Sequence, residues 1–423
     1  MEAPPGTPTV LDTAPAAEIP LRRNRDFQLL WSGSALAFLG REITDLAYPL
    51  VVLAATGSAA WAGTFGAVQM LVALLVGLPA GALVDAYDRR ALLITMESVR
   101  AAASASVLVA VVLDAVTLPH LLAAGVAVGA VQPLGGSARM LLVRSVVPPR
   151  QLTAALTQEE IRTHAAALTG PPLAGFLYAT ATALPFLGST VSFLVSAFCA
   201  VFVRPPARDT DAGTGAGKGQ LLRRALAGPA QLWRVPALRA ATVFAAALNL
   251  VTAPLILVVI VLLTRQGASP TVVGLTSAGL AVGGLAGTLL VRPLHRALGP
   301  GALMLWLGGT AVATIAALAL PWGSWWLAAT LFLLGLGGPS MRVLVDILIF
   351  RQIPDEQRGR AISAFMTILT AGAAIGLFLS GQLLQWVPSS IAILSLAGLL
   401  AVTVVVAATD RRIRTARWPD ESY

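Results

Sequence analysis

The residues of this chain that could do chemistry are few, and most lie inside apolar runs. Arg41, Glu42 and Asp45 stand together in one such stretch. Arg41 and Asp45 are four apart, a spacing that pairs opposite charges on one helix face, and Glu42 and Asp45 are three apart, so both carboxylates can face one cavity. Two carboxylates and one guanidinium leave a net negative charge, which makes the group a candidate for carrying a proton. The plainer alternative is a neutral Arg41–Asp45 pair with Glu42 reaching toward polar surroundings. Glu97 and Arg100, three apart, fit either a packing pair or a proton relay. Arg139 has no acid near it in sequence and can pair with Glu97 or with an acid of the first stretch. Burying an ionisable group in a membrane span costs at least about 2.5 kcal/mol, so such groups persist when paired, when facing a water-filled cavity, or when they titrate.

The other charges read differently. Glu159, Glu160, Arg162 and His164 begin an apolar run and suggest a solvated helix start. Arg342 and Asp346, four apart, are the strong pair of the C-terminal half and suggest a gate salt bridge. Asn249 can hydrogen-bond a bound molecule or bridge two helices; with Arg41 it is a candidate for lining a substrate cavity. Proton chemistry, if present, is therefore concentrated in the first half. No glycine loop with a following Lys cradles phosphate, no two-His helix binds metal, and Cys199 is the only cysteine. A catalytic site, a metal and a cofactor are not expected.

The elements that must position these residues are membrane spans. Of 423 residues, 57% are hydrophobic and only 12% charged, with a mean hydropathy of +0.79. Soluble domains carry about 25% charged residues, so an ordinary soluble enzyme and a disordered chain are both excluded. A bilayer core takes about 20 helical residues to cross. Stretches of that length fall at 28–55, 61–84, 91–113, 119–143, 155–180 and 183–203, then at 240–264, 270–291, 301–321, 325–349, 360–385 and 388–408. The expected fold is an all-α membrane protein of twelve transmembrane helices in two six-helix bundles, 28–203 and 240–408. Residues 1–27 read as a disordered N-terminal tail, 204–239 as a linker with an amphipathic surface segment, and 409–423 as a C-terminal tail. The start of the chain lacks the basic and apolar run of a cleaved signal.

The net charge of +9 would suggest nucleic acid in a soluble protein. Here the basic residues are spread over alternate turns, and the opposite turns contain only Arg265. That asymmetry orients the chain with both termini cytoplasmic in a plasma (inner) membrane and removes nucleic acid as a partner.

Three stretches carry a resemblance. Gly81-Ala-Leu-Val-Asp85-Ala-Tyr-Asp88-Arg89-Arg90 resembles the signature loop of the major facilitator superfamily, with Ala86 in place of a usual basic residue and Asp88 in place of a usual Gly. Gly170-Pro171-Pro172-Leu173-Ala174-Gly175 is similar to the Gly-Pro motif of the superfamily's exporter branches, with Ala174 in place of a usual Gly; a plain kink is the other reading. Arg351 to Arg360, with Pro149 to Ala155 in the first half, resembles the branch that contains bacterial siderophore and macrolide exporters. The resemblance implies a gating role for Gly81, Asp85, Arg89 and Arg90 and an exporter role for Gly170, Pro171 and Gly175. It also implies a monomer that moves a small amphipathic molecule against protons across the lipid bilayer, with Glu42, Asp45, Glu97 and Arg139 as proton-coupling candidates. An importer or facilitator on the same fold, and a non-transporting membrane enzyme or sensor, are the alternatives.

Overall fold

The computed structural model describes residues 20–204, 232–233 and 235–410. Every long element among them is an α-helix. The first bundle consists of α1 (Arg25–Thr56), α2 (Ala59–Ala86), α3 (Arg89–Val112), α4 (Leu118–Val146), α5 (Leu152–Thr180) and α6 (Leu184–Phe202). The second consists of α7 (Pro236–Thr252), α8 (Leu255–Arg265), α9 (Pro270–Ala297), α10 (Pro300–Ala317), α11 (Ser324–Gln352), α12 (Asp355–Trp386) and α13 (Ser389–Thr409). Leu238–Arg265 is one apolar crossing, interrupted at Ala253 and Pro254 because proline removes a backbone donor and clashes with the preceding turn. The sequence predicts that crossing as one unbroken helix; the structure divides it into α7 and α8. Twelve crossings result.

Ten of these crossings are apolar enough to be recognised as membrane spans by length and composition alone. The other two, α1 and α5, are long enough at 32 and 29 residues, but they carry Arg41, Glu42 and Asp45, and Glu159, Glu160 and Arg162. The two helices least suited to lipid thus each carry a cluster of three charged residues.

Side chains fix several helix ends. Asn24 caps α1 by accepting from Phe27 N at 3.1 Å, and its amide donates to Val146 O at 2.8 Å, tying the start of α1 to the end of α4. Asp88 caps α3 by accepting from Ala91 N at 2.6 Å, a role that its residue type favours and glycine fills less well. Most of the expected linker segment lies outside the described residues, as do most of the expected N-terminal tail and nearly all of the C-terminal one; the linker's last four residues, 236–239, belong to α7.

Lipid supplies no hydrophobic drive between helices, so small residues that allow close approach dominate the interfaces. Gly279, Gly283 and Gly287 of α9 press on the carbonyls of Ala328, Phe332 and Leu336 of α11. The corresponding pair of the first half, α2 and α4, meets through Gly125 against Phe65 and Gly129 against Gln69 O. α1 meets α6 through Gly33 and Gly40.

The two bundles touch along two principal seams, α2 with α12 and α5 with α9, and α8 also reaches α1 and α2. Gly63 faces Gly381 so closely that a Cβ on Gly63 would lie 2.5 Å from Leu377 O. Ser58 Oγ donates to Gln385 Oε1 at 3.0 Å. Gly175 packs on Pro270 O and Gly274, and Gly274 on Pro171 O. All of these residues belong to the end of the molecule remote from the start of α1 and the end of α13. At the opposite end Gly81 faces open space and Asp85 is exposed. Among the described residues, these contacts hold the bundles together at the remote, closed end; the end of Gly81 and Asp85 is the open one.

Candidate functional site

The ionisable residues of the first bundle converge from four helices. α1 supplies Phe38, Arg41, Glu42 and Asp45; α3 supplies Glu97 and Arg100; α4 supplies Arg139; α5 supplies Glu159 and Arg162. Arg139 lies seven residues before the end of α4 and Glu97 eight after the start of α3, which puts both about 10–12 Å in from the open end at 1.5 Å per residue.

Glu97 is completely buried. Its Oε1 accepts from Arg139 Nη2 at 2.5 Å and from Arg100 Nη1 at 3.4 Å, while Oε2 has no hydrogen-bond partner among the described residues. The sequence leaves two partners open for Arg139, and the structure joins it to Glu97. Phe38 lies within reach of two guanidinium groups: Arg139 is 5.4 Å and Arg162 4.8 Å from its ring centroid. Arg100 lies 5.9 Å from the Phe193 ring. Aromatic faces attract cations most strongly where water is excluded, so Phe38 and Phe193 help to hold three arginines inside the bundle.

Arg41 pairs with Asp45 at 3.3 Å, and both remain open to solvent at 35% and 42% exposure. Glu42 has no ion-pair partner within reach among the described residues, and its Cβ and Cγ pack directly on Gly170 of α5. The Gly-Pro segment therefore touches an ionisable residue on one side and the α5–α9 seam, through Pro171 and Gly175, on the other.

The charges at the start of α5 divide between two faces. His164 and Glu160 sit 3.9 Å apart and are exposed, at 58% and 77%, as a solvated helix start requires. Arg162 is buried and bound by both Glu159 oxygens at 2.6 and 2.5 Å. The expectation of a solvated start is corrected for that pair: Arg162 and Glu159 belong to the face that packs on α1. The i,i+3 spacing of Glu159 and Arg162 is the available signal; Phe38 gives none.

The remaining candidates lie elsewhere. Arg90 donates to Ala200 O at 3.1 Å and to Val201 O, capping the end of α6 within the first bundle, where a cation meets the negative end of the helix. Arg89 lies beside it at the start of α3. Arg342 and Asp346 pair at 3.1 Å, with Arg342 60% exposed. Asn249 donates to Leu369 O at 2.7 Å, so it bridges α7 and α12. Asn249, Thr252, Met341 and Arg342 line a cavity of about 200 Å³ in the second bundle. No group of His, Cys, Asp and Glu able to hold a metal is found among the described residues.

Two sequence segments, 30–321 and 242–421, match the family described as Major Facilitator Superfamily. The chain belongs to the major facilitator superfamily. The match spans nearly the whole of both bundles and makes this a multi-pass membrane protein of a transporter family. No curated protein matches the sequence. Among solved structures, the chain is similar to a bacterial homologue of the human lysosomal transporter Spinster in an inward-facing, occupied conformation, with TM-score 0.72 and 13% identity over 95% of this chain and 100% of that one. It is also similar to the nucleoside transporter NupG, with TM-score 0.70 and 13% identity over 93% and 100%. A bacterial homologue of the iron transporter ferroportin in its inward-facing state gives TM-score 0.68 and 19% identity over 93% and 100%. At these identities the likeness is one of fold. Transporters built from repeats bind substrate near the midplane where the repeats meet. In this superfamily member the charged cluster of the first bundle and the Asn249 cavity of the second are polar features inside the two bundles.

Proposed function

We propose that this protein is a proton-coupled secondary transporter that exports a small amphipathic molecule by alternating access, as the siderophore and macrolide exporters its loops resemble would. The observation that carries this reading is the placement of Glu42. It belongs to a solvent-reachable group with an excess of carboxylate, and it rests on Gly170, the residue before Pro171, whose carbonyl packs on Gly274 at the closed end. Gain or loss of a proton at Glu42 or Asp45 changes the charge pressed against α5, and α5 bears on the seam that must part for outward opening. Glu97 and Arg139 extend this charge network into α3 and α4. The substrate meets a charged wall on the first bundle and a mostly apolar one around Asn249, which favours an amphipathic molecule.

In this reading the chain sits in the plasma membrane with both termini cytoplasmic, works as a monomer, and converts its substrate chemically in no way. The open end then faces the cytoplasm. The loop Gly81, Asp85, Arg89, Arg90 and the pair Arg342–Asp346 would meet when that end closes. The open end would serve equally for release by an importer, so direction rests on the Gly-Pro segment and the loop resemblance. The test is uptake of a panel of amphipathic compounds into inside-out vesicles under an imposed pH gradient. Uptake should collapse with the gradient and in Glu42→Gln plus Asp45→Asn. Uptake indifferent to both would sink proton coupling, and accumulation in cells rather than vesicles would reverse the direction.

A further inference from the structure

A second, smaller cavity lies inside the first bundle itself, between α1, α3 and α4. Its volume is about 50 Å³, and it is lined by Ala37, Phe38, Arg41, Arg100, Gln132, Gly136 and Arg139. That is room for one small ion and far too little for a drug-sized molecule. Three of its lining residues are arginines. A guanidinium has five donors and no acceptor, so three of them around so small a space ask for an acceptor at its centre.

The protein supplies only part of one. Arg100 and Arg139 share a single oxygen of Glu97, so the trio of two cations and one anion is left one positive charge in excess. Arg139 is only 6% exposed, and its Nε donates to nothing among the described residues. Arg41 Nε lies 3.3 Å from Asp45 Oδ2, close enough for charge attraction but without the alignment of a hydrogen bond. Of the other acids nearby, Glu159 is bound to Arg162, and Glu42 makes no ion pair with these arginines among the described residues. A buried donor without an acceptor is costly, and the unused Nε of Arg139, beside the unaligned Nε of Arg41, leaves room for an acceptor in this cavity.

We propose that this cavity binds one compact monovalent anion, held by Arg41, Arg100 and Arg139 with Gln132 at its side. The shared chemistry is a small acceptor of single negative charge, met either by a free ion such as chloride or by the carboxylate of a transported molecule. The inference stands apart from the transport reading, because the site can be tested with neither gradient nor substrate.

The experiment is thermal unfolding of the full chain in lipid nanodiscs at constant ionic strength, in chloride, acetate and gluconate. A ligand that binds only the folded state raises the unfolding temperature saturably. Chloride should stabilise relative to gluconate if the occupant is a free ion, and acetate alone should do so if it is a carboxylate. Arg139→Gln should weaken the anion's apparent affinity about tenfold or more, since a charged hydrogen bond is lost. Glu97→Gln should strengthen it, because the internal carboxylate that competes for the same donors is gone. Should Arg139→Gln fail to fold, Arg41→Gln and Glu97→Gln carry the comparison. A wild-type protein and a Glu97→Gln variant that each unfold at the same temperature in all three salts would overturn the proposal, as would an Arg139→Gln variant equally destabilised in each salt with its anion affinity unchanged.

Discussion

Glu97 receives two arginines on one oxygen in a space closed to water, so removing it leaves two buried cations facing each other. Breaking a buried pair from one side costs about 3–5 kcal/mol. Glu97→Ala is expected to lower stability by that order, and Glu97→Gln by less because the amide oxygen still accepts; urea or thermal unfolding in detergent checks the ranking. Gly170 makes the complementary case. A Cβ there would collide with Glu42 Cβ, so Gly170→Ala must push α5 away from α1 at a cost of about 1–3 kcal/mol, with transport falling further than stability. Equal losses would mean that the contact is packing alone. Spacing makes the pairs Arg41–Asp45, Glu97–Arg100 and Arg342–Asp346 legible, because three and four residues return to one helix face. It cannot show that Arg162 turns inward while Glu160 and His164 turn out, since that depends on which face α1 covers. Nor can it show Phe38 beside two arginines, because a phenylalanine in an apolar run carries no mark of its neighbours.

Helix ends are legible to within a few residues almost throughout, since apolar runs stop at polar turns and residues such as Asn24 and Asp88 have a cap's chemistry. The break between α7 and α8 escapes a hydropathy reading although Pro254 marks it, because hydropathy runs unchanged across it. The seams between bundles are not legible at all. Gly63 and Gly381 are 318 positions apart, and nothing local distinguishes them from Gly136 or Gly309, which face open space. The seam gives an element-level prediction. Gly63→Leu adds bulk where even a Cβ meets the backbone of α12, so the remote ends of α2 and α12 should part. Spin labels on those two ends should report a longer distance in the variant; an unchanged distance would show that the seam relaxes by other means.

At the scale of the whole molecule, the two bundles are joined along two seams, α2 with α12 and α5 with α9. The close backbone approaches of both seams, Gly63 to Gly381 and Gly175 to Gly274, lie at the closed end. If transport requires that end to open, bridging it must stop the cycle without disturbing either bundle. Ser58 and Gln385 are the natural pair, since their side chains meet at 3.0 Å across the α2–α12 seam. The one native thiol is easily removed: Cys199 contributes mainly its Cβ to the contact with Gly33, which Cys199→Ala retains. In that background, Ser58→Cys with Gln385→Cys, joined by a short reducible thiol crosslinker, should hold the remote end shut and the other end open. Transport should cease, substrate should still bind from the open end, and reduction should restore the rate. A crosslinked protein that transports at the uncrosslinked rate would show that the passage does not run between these bundles.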